Sequence, residues 1–292
     1  MKIRDTLENY VFVLPAVVIF SIFYIIPFIW VFQLGMFEWD GISSAKVFVG
    51  LDNFKEIFLQ DSNWWHAMWN AGYITLIALT LQNALAFMLA WACDREIKMK
   101  NFYRVIFFIP PVLSEVVVGM AWRFIINDID GANIINRSLI SMGLGNFAHN
   151  WLSDPQTALT TVAIVHCWKG FGWGFLIFLA GLQTIPRELY EAARVDGASA
   201  WQSFKKITLP LMVPIMVLVV ILTVLGTMQV FVLIVSLVGG EFAGHTSVPV
   251  LRILASMRGS SRFGYACAQG ITFGMVLILI SFIQYRFSKK GQ

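Results

Sequence analysis

Residues 10–37 read YVFVLPAVVIFSIFYIIPFIWVFQLGMF, a run without a single charged residue, and what this run becomes decides the class of the chain. A secretory signal has an apolar centre of only about 7–15 residues and ends at a small-x-small cleavage site. This run is longer and has no such site, so it is expected to stay as a first membrane span. About 20 mostly apolar residues cross ~30 Å of hydrocarbon at ~1.5 Å per residue.

The rest of the chain agrees with that reading. Of 292 residues, 58% are apolar and 13% charged, against about 25% charged in a soluble domain. Six stretches are long and apolar enough to span: about 11–33, 69–92, 103–126, 157–183, 211–238 and 268–287. The expected fold class is all-α, a polytopic membrane protein with six transmembrane helices in one domain over residues 1–292. No internal repeat, low-complexity tract or linker interrupts it. Cys93, Cys167 and Cys267 lie in or beside apolar runs at no metal-like spacing, so they are expected to be packing residues.

An even number of spans puts both termini on one side, and the positive-inside rule selects the side. With the termini in the cytoplasm, inner segments hold thirteen of the 21 Lys and Arg and outer loops hold six; Arg123 and Lys169 fall within spans. A net charge of +4 sorted in this way is no signal for nucleic acid. Trp64, Trp65, Trp69, Trp91 and Trp151 fall where an interfacial aromatic belt belongs, whereas Trp168 and Trp173 lie mid-span.

Between the fourth and fifth spans, residues 188–214 read ELYEAARVDGASAWQSFKKITLPLMVP. Two short helices are expected in this inner loop, about 184–210. Pro186 suits a first helical turn, Asp196 and Gly197 form a turn signal, and Ser199 with Gln202 match a capping box. Pro210 is expected to end the second helix before the fifth span. Ala192, Ala193, Gly197 and Ala198 leave little bulk, so another protein can approach closely. A helix lying on lipid headgroups is the alternative.

The same stretch resembles the EAA motif of binding-protein-dependent ABC import permeases. Glu191, Ala192 and Ala193, then Asp196, Gly197 and Ala198, then Ile207, Leu209 and Pro210 fall on its pattern. VGLDNFKEIF (49–58), YRVIFFIPPVLSEVVVGMAWRFI (103–125), GANIINRSL (131–139) and WKGFGWGFLIFLAGLQTIPRELYEAA (168–193) are similar to the carbohydrate-uptake branch. Gly239-Gly240-Glu241, where relatives commonly read G-G-P, and the acid Glu115 depart from the pattern. The resemblance implies a coupling helix seated in a cleft of a cytoplasmic ATPase, with Glu191 as a polar anchor and Gly197 permitting the bend. It also implies a bacterial or archaeal cytoplasmic membrane, an extracytoplasmic solute-binding protein and two ATPase copies. The sequence itself contains no G-x-x-x-x-G-K-[ST], so no P-loop in this chain cradles ATP. No cofactor is expected here; ATP and magnesium belong to the partner. Six spans enclose half a pathway, so a second permease subunit is expected; the span count leaves a homodimer open, and the resemblance to the carbohydrate branch implies a related, non-identical one.

Polar groups at mid-depth are costly and default to functional candidates. His166, Gly170 and Trp173 follow i, i+4, i+7 spacing and share a helix face; Thr223, Thr227 and Gln229 lie in the fifth span, and Gln82 and Asn83 in the second. A sugar needs hydroxyl partners and a flat aromatic surface, which these faces offer. Sugar permeases place substrate contacts on the corresponding spans. Threonine and glutamine also bond neighbouring helices, which is the plainer reading of the same residues. Glu115 and Lys169 are expected to form an intramembrane ion pair, with direct contact to the solute as the alternative. The function expected is ATP-driven import of a sugar or oligosaccharide by alternating access. A polyol or glycerol-phosphate-like solute, an ion-coupled carrier and a polytopic membrane enzyme are the alternatives. His66, His149, His166 and His245 are dispersed, with no metal or catalytic pattern.

Overall fold

The computed structural model describes residues 12–95, 98–127, 133–239 and 244–290, with side chains to residue 286. The chain forms two compact units, Met1–Trp64 with Arg252–Val276, and Trp65–Leu251 with Leu277–Gln292. Among the described residues, five helices are long and apolar enough to cross a membrane, or six if one bent pair counts as a span. The basic residues Lys2 and Arg4, and the pair Gly240-Glu241, lie outside the described residues.

In the first unit, α1 spans Phe12–Leu34 and has none of its apolar window buried in the protein, as suits a helix whose neighbour is lipid. A short antiparallel pair follows, β1 (Phe37–Glu38) with β2 (Val47–Phe48), then α2 (Asp52–Leu59). The Asn53 side-chain amide donates to the carbonyls of Gly35 and Phe37 at 2.9 and 3.0 Å, so α2 closes the end of α1. Arg262 grips the Glu56 carboxylate through two nitrogens, each at 2.6 Å. The Tyr265 hydroxyl donates to Asp61 at 2.8 Å. The backbone N–H groups of Ile42 and Ser43 donate to the Asp40 carboxylate and hold its pKa below the ordinary value. Trp64 is fully buried within the protein, and its backbone N–H donates to the Asp61 carboxylate at 2.9 Å, capping the helix that starts there.

The second unit is built around α7, Ala158–Gln183, more than half of whose residues are buried. Against it pack α3 (Ser62–Asp94, beginning in the first unit), α4 (Lys100–Val112) and α9 (Ala200–Met228). Phe171, Phe175, Phe178, Ala86, Ala90 and Met212 share one apolar cluster, with Phe87 edge-on to Phe178 and Phe107 edge-on to Phe175. Small residues let these helices approach: a Cβ on Gly174 would sit 3.2 Å from the Ala86 methyl, and one on Gly181 only 2.9 Å from Ile215. Cys93, Cys167 and Cys267 are free and buried.

Two expected spans are interrupted. Residues 103–126 form two helices, α4 and α5 (Glu115–Ile126), bent by 95°. Pro110 and Pro111 lack the N–H groups that would bond one turn back, and Leu113 and Ser114 turn extended. Twelve or thirteen residues reach only about 18–20 Å, so neither half crosses alone. Between α5 and α7 lies the short helix α6, Ile134–Ser141. The fifth span ends at Met228 rather than near 238. After Gln229 and Val230 the chain restarts as α10, Val232–Val238, which packs on α5. A Cβ on Gly119 would overlap the Ser236 side chain, so glycine permits that contact. The apolarity of 232–238 reflects burial against α5, which hydropathy does not distinguish from burial in lipid.

The loop between the fourth and fifth spans also differs in detail. Helix α8 is Arg187–Val195, with Pro186 at its N-cap rather than in its first turn. The second helix is not short, since α9 runs unbroken from Ala200 through Pro210. A π-helical turn at Phe204–Thr208 absorbs the donor that proline removes.

Candidate functional site

The middle of the second unit holds a cavity of about 340 Å³. Gln82 of α3, Glu115 of α5, His166, Lys169, Gly170 and Trp173 of α7, and Thr223 and Thr227 of α9 all line it. Gly170 lies roughly 18 Å from either end of α7 at 1.5 Å per residue, close to mid-span. The i, i+4, i+7 face read from the sequence therefore meets the second and fifth spans at one place.

Local structure explains the arrangement. A π-helical turn at Ala78–Gln82 adds a residue to α3 and turns Gln82 toward α7. A Cβ on Gly170 would come 2.6 Å from Gln82 Oε1, so glycine admits the carboxamide. Trp173 is exposed and meets Phe108 edge-on at 5.5 Å. Lys169 Nζ lies 3.9 Å from Glu115 Oε1, with side chains 13% and 37% exposed. The charges attract at that distance without sharing a hydrogen bond.

The polar atoms fall into two groups. Thr223 Oγ1 donates to Asn83 Oδ1 at 3.1 Å, and the Thr75 and Thr227 hydroxyls bond at 2.7 Å, so these hydroxyls tie α3 to α9. In contrast, Gln82 Oε1, Asn83 Nδ2 and His166 Nδ1 are buried with no partner among the described residues. Buried polar atoms are nearly always bonded; Gln82 and His166 line the cavity, where such exceptions suit a ligand or water, whereas Asn83 does not line it. Gln229 does not line the cavity; its amide donates to the Leu225 carbonyl at 3.0 Å on an exposed face, closing the end of α9. Gly174 and Gly226 also line the cavity and were not singled out from the sequence. Their spacing from Gly170 and Thr223 is the only sequence signal for them.

In the loop between the fourth and fifth spans, Glu191, Ala192, Asp196 and Gly197 are exposed and Ala193 and Ala198 half-buried. Gly197 has φ +76°, its N–H donates to the Arg194 carbonyl at 3.1 Å, and the Ala198 N–H donates to that of Ala193 at 2.8 Å. This is a Schellman C-cap, and the Ser199–Gln202 capping box starts the next helix three residues after Asp196. Tyr190 and Thr208 share a 2.8 Å hydroxyl bond that holds α8 to α9. Leu189, Val195 and Trp201 are 42%, 88% and 67% exposed, an apolar surface that the charge-centred reading of this loop overlooked.

A predominantly helical, multi-span protein with a mid-span cavity lined by polar side chains and an exposed helical loop at one end of its spans has the build expected of a membrane permease. Residues 82–291 match the family described as binding-protein-dependent transport system inner membrane component, and the chain belongs to that family. It is 32% identical over 291 residues, 99% of this chain and 98% of the other, to the probable ABC transporter permease protein YurN of Bacillus subtilis. It is 30% identical to the diacetylchitobiose uptake system permease protein NgcF of Streptomyces coelicolor, over 90% of this chain and 77% of the other. The fold is similar, at a TM-score of 0.81 and 24% identity over 99% of this chain and 97% of the other, to a chain of a bacterial ABC transporter involved in the import of the acidic polysaccharide alginate. The chain is thus a multi-pass inner-membrane permease subunit of an ABC transporter that works with a solute-binding protein.

Proposed function

We propose that this permease carries a sugar or oligosaccharide inward by alternating access. The observation that carries the reading is the mid-span cavity, where an exposed indole, Trp173, stands beside unpartnered carboxamide and imidazole atoms of Gln82 and His166. Ligand sites combine apolar surface with a few placed polar groups, and a sugar offers an apolar ring face and hydroxyls to match. The name of the Streptomyces relative, an uptake permease for diacetylchitobiose, supports the same substrate class. The Glu115–Lys169 pair supplies an acceptor and a donor in one wall.

ATP is hydrolysed in two copies of a separate cytoplasmic ATPase. Helix α8, with Glu191 and the Gly197 bend, docks into it, and its exposed Leu189 and Val195 give that contact an apolar component. A second, related permease subunit completes the pathway, and both termini face the cytoplasm. The test is uptake into proteoliposomes holding the assembled transporter, together with a solute screen on the cognate binding protein. Uptake of a sugar that stops when the ATPase is inactivated, and continues when ion gradients are collapsed, is the expected result. A binding protein that takes glycerol-phosphate-like solutes and no sugar would overturn the substrate class.

A further inference from the structure

A second, larger cavity of about 900 Å³ lies at the end of the spans beside α8. Arg95, Lys100, Arg104, Arg187 and Arg194 line it, against Asp94 as the only acid in its wall among the described residues. Five cations from two stretches of sequence, 95–104 and 187–194, have thus been brought to one concavity. Like charges gathered in this way repel unless something neutralises them, and Asp94, which faces Arg187, Arg104 and Lys100, is a single carboxylate. The guanidinium of Arg95 rests 4.2 Å from the Trp91 ring centre, held to the wall by a cation–π contact. Arg104 Nε is buried and has no hydrogen-bond partner among the described residues. An N–H of a charged group left unbonded inside a cavity wall is expensive, and it marks a place for an acceptor.

From this we propose that the cavity binds the phosphate group of an anionic ligand, with Lys100 and Arg104 as its principal partners. Arginine suits a phosphate because its fork of N–H groups matches the oxygens, and lysine adds a compact charge. The volume lies within the range of small-ligand sites. The phosphate arrives either on an anionic phospholipid headgroup, since basic pockets between spans on the cytoplasmic side take such headgroups, or as a soluble phosphate. The lipid source rests on the cytoplasmic orientation proposed above; the soluble source does not.

The experiment uses the assembled transporter in nanodiscs and reads binding alone, so its result is independent of which solute is carried. One arm measures retention of phosphatidylglycerol against phosphatidylcholine by native mass spectrometry. The other measures thermal stabilisation by inorganic phosphate against chloride at matched ionic strength, in phosphatidylcholine discs. Preferential retention of phosphatidylglycerol assigns the lipid source, and stabilisation by phosphate assigns the soluble one. In either case K100Q/R104Q should weaken binding about tenfold to a hundredfold. K100R/R104K should retain most of it, and R137Q, at an exposed cation away from the cavity, should change nothing. Lys100 is exposed, so K100Q alone keeps the test decisive if replacing Arg104 prevents assembly. No preference in either arm, or unchanged binding by K100Q, overturns the proposal.

Discussion

The Phe107 carbonyl faces Gly172 so closely that a Cβ there would overlap it, and the Pro111 ring lies beside the same point. Pro111 is the cause of both facts. Its missing N–H leaves the carbonyl one turn back without a helical partner, and glycine on α7 lets that bare oxygen lie against a neighbouring backbone. Gly172→Ala should therefore destabilise the protein by about 1–3 kcal/mol, the usual range for overpacking. A Cβ on Gly72, also within a helix, would meet nothing, so Gly72→Ala should be neutral or stabilising by about 0.5–1 kcal/mol. Thermal unfolding in detergent separates the two, and equal behaviour would contradict the close-approach argument.

The two kinds of polar residue around the mid-span cavity should separate by assay. Thr75 and Thr227 bond each other, so a double-mutant cycle with valine should show coupling of about 0.6 kcal/mol in stability. Gln82→Ala and His166→Ala remove atoms with no protein partner and should raise the KM for uptake about tenfold with little change in unfolding temperature. A KM effect confined to the threonines would reverse this assignment.

Opposite charges 3.9 Å apart at mid-depth define a further test. Glu115→Lys or Lys169→Glu alone places two like charges in the cavity wall and should abolish uptake. The double reversal restores the pairing and should recover a measurable fraction of it. A double variant as inactive as either single one would show that the charges act separately.

The loop at Gly197 rests on a backbone conformation that few residues adopt. Gly197→Asn should be tolerated, because asparagine visits left-handed geometry, while Gly197→Ala should cost about 1 kcal/mol. Gly197→Pro locks φ near −65° and removes the N–H that bonds Arg194. With Glu191→Lys, it should leave the permease inserted and the ATPase hydrolysing without uptake. Transport persisting unchanged in both variants would end the coupling role of this loop.

In the first unit, Arg262→Ala removes a two-pronged contact to Glu56 whose side chains are 42% and 33% exposed. Solvent screening limits the expected loss to about 0.5–1 kcal/mol. The loss should shrink as salt is raised, which unfolding curves at two ionic strengths would check.

Much of the fold and part of the site were legible in the order of residues. A charge-free run of more than twenty residues has one physical outcome, a membrane-spanning helix, because lipid offers its backbone no partners. The capping box at Ser199 and the turn at Gly197 are local as well, each needing only a few neighbours in sequence. The shared face of His166, Gly170 and Trp173 followed from helical spacing alone.

What the tertiary structure decided are the matters that depend on residues far apart in sequence. Hydropathy cannot tell burial in protein from burial in lipid, so only packing against Glu115–Ile126 showed that 232–238 leaves the fifth span. A proline is a break or a bend according to whether a π turn can absorb it; Pro210 had one and the Pro110-Pro111 pair did not. Which hydroxyls remain for a solute depended on partners about 150 residues away, as with Thr75 and Thr227. The same long-range folding brought the cations of 95–104 and those of 187–194 to one cavity, a meeting that neither stretch shows alone.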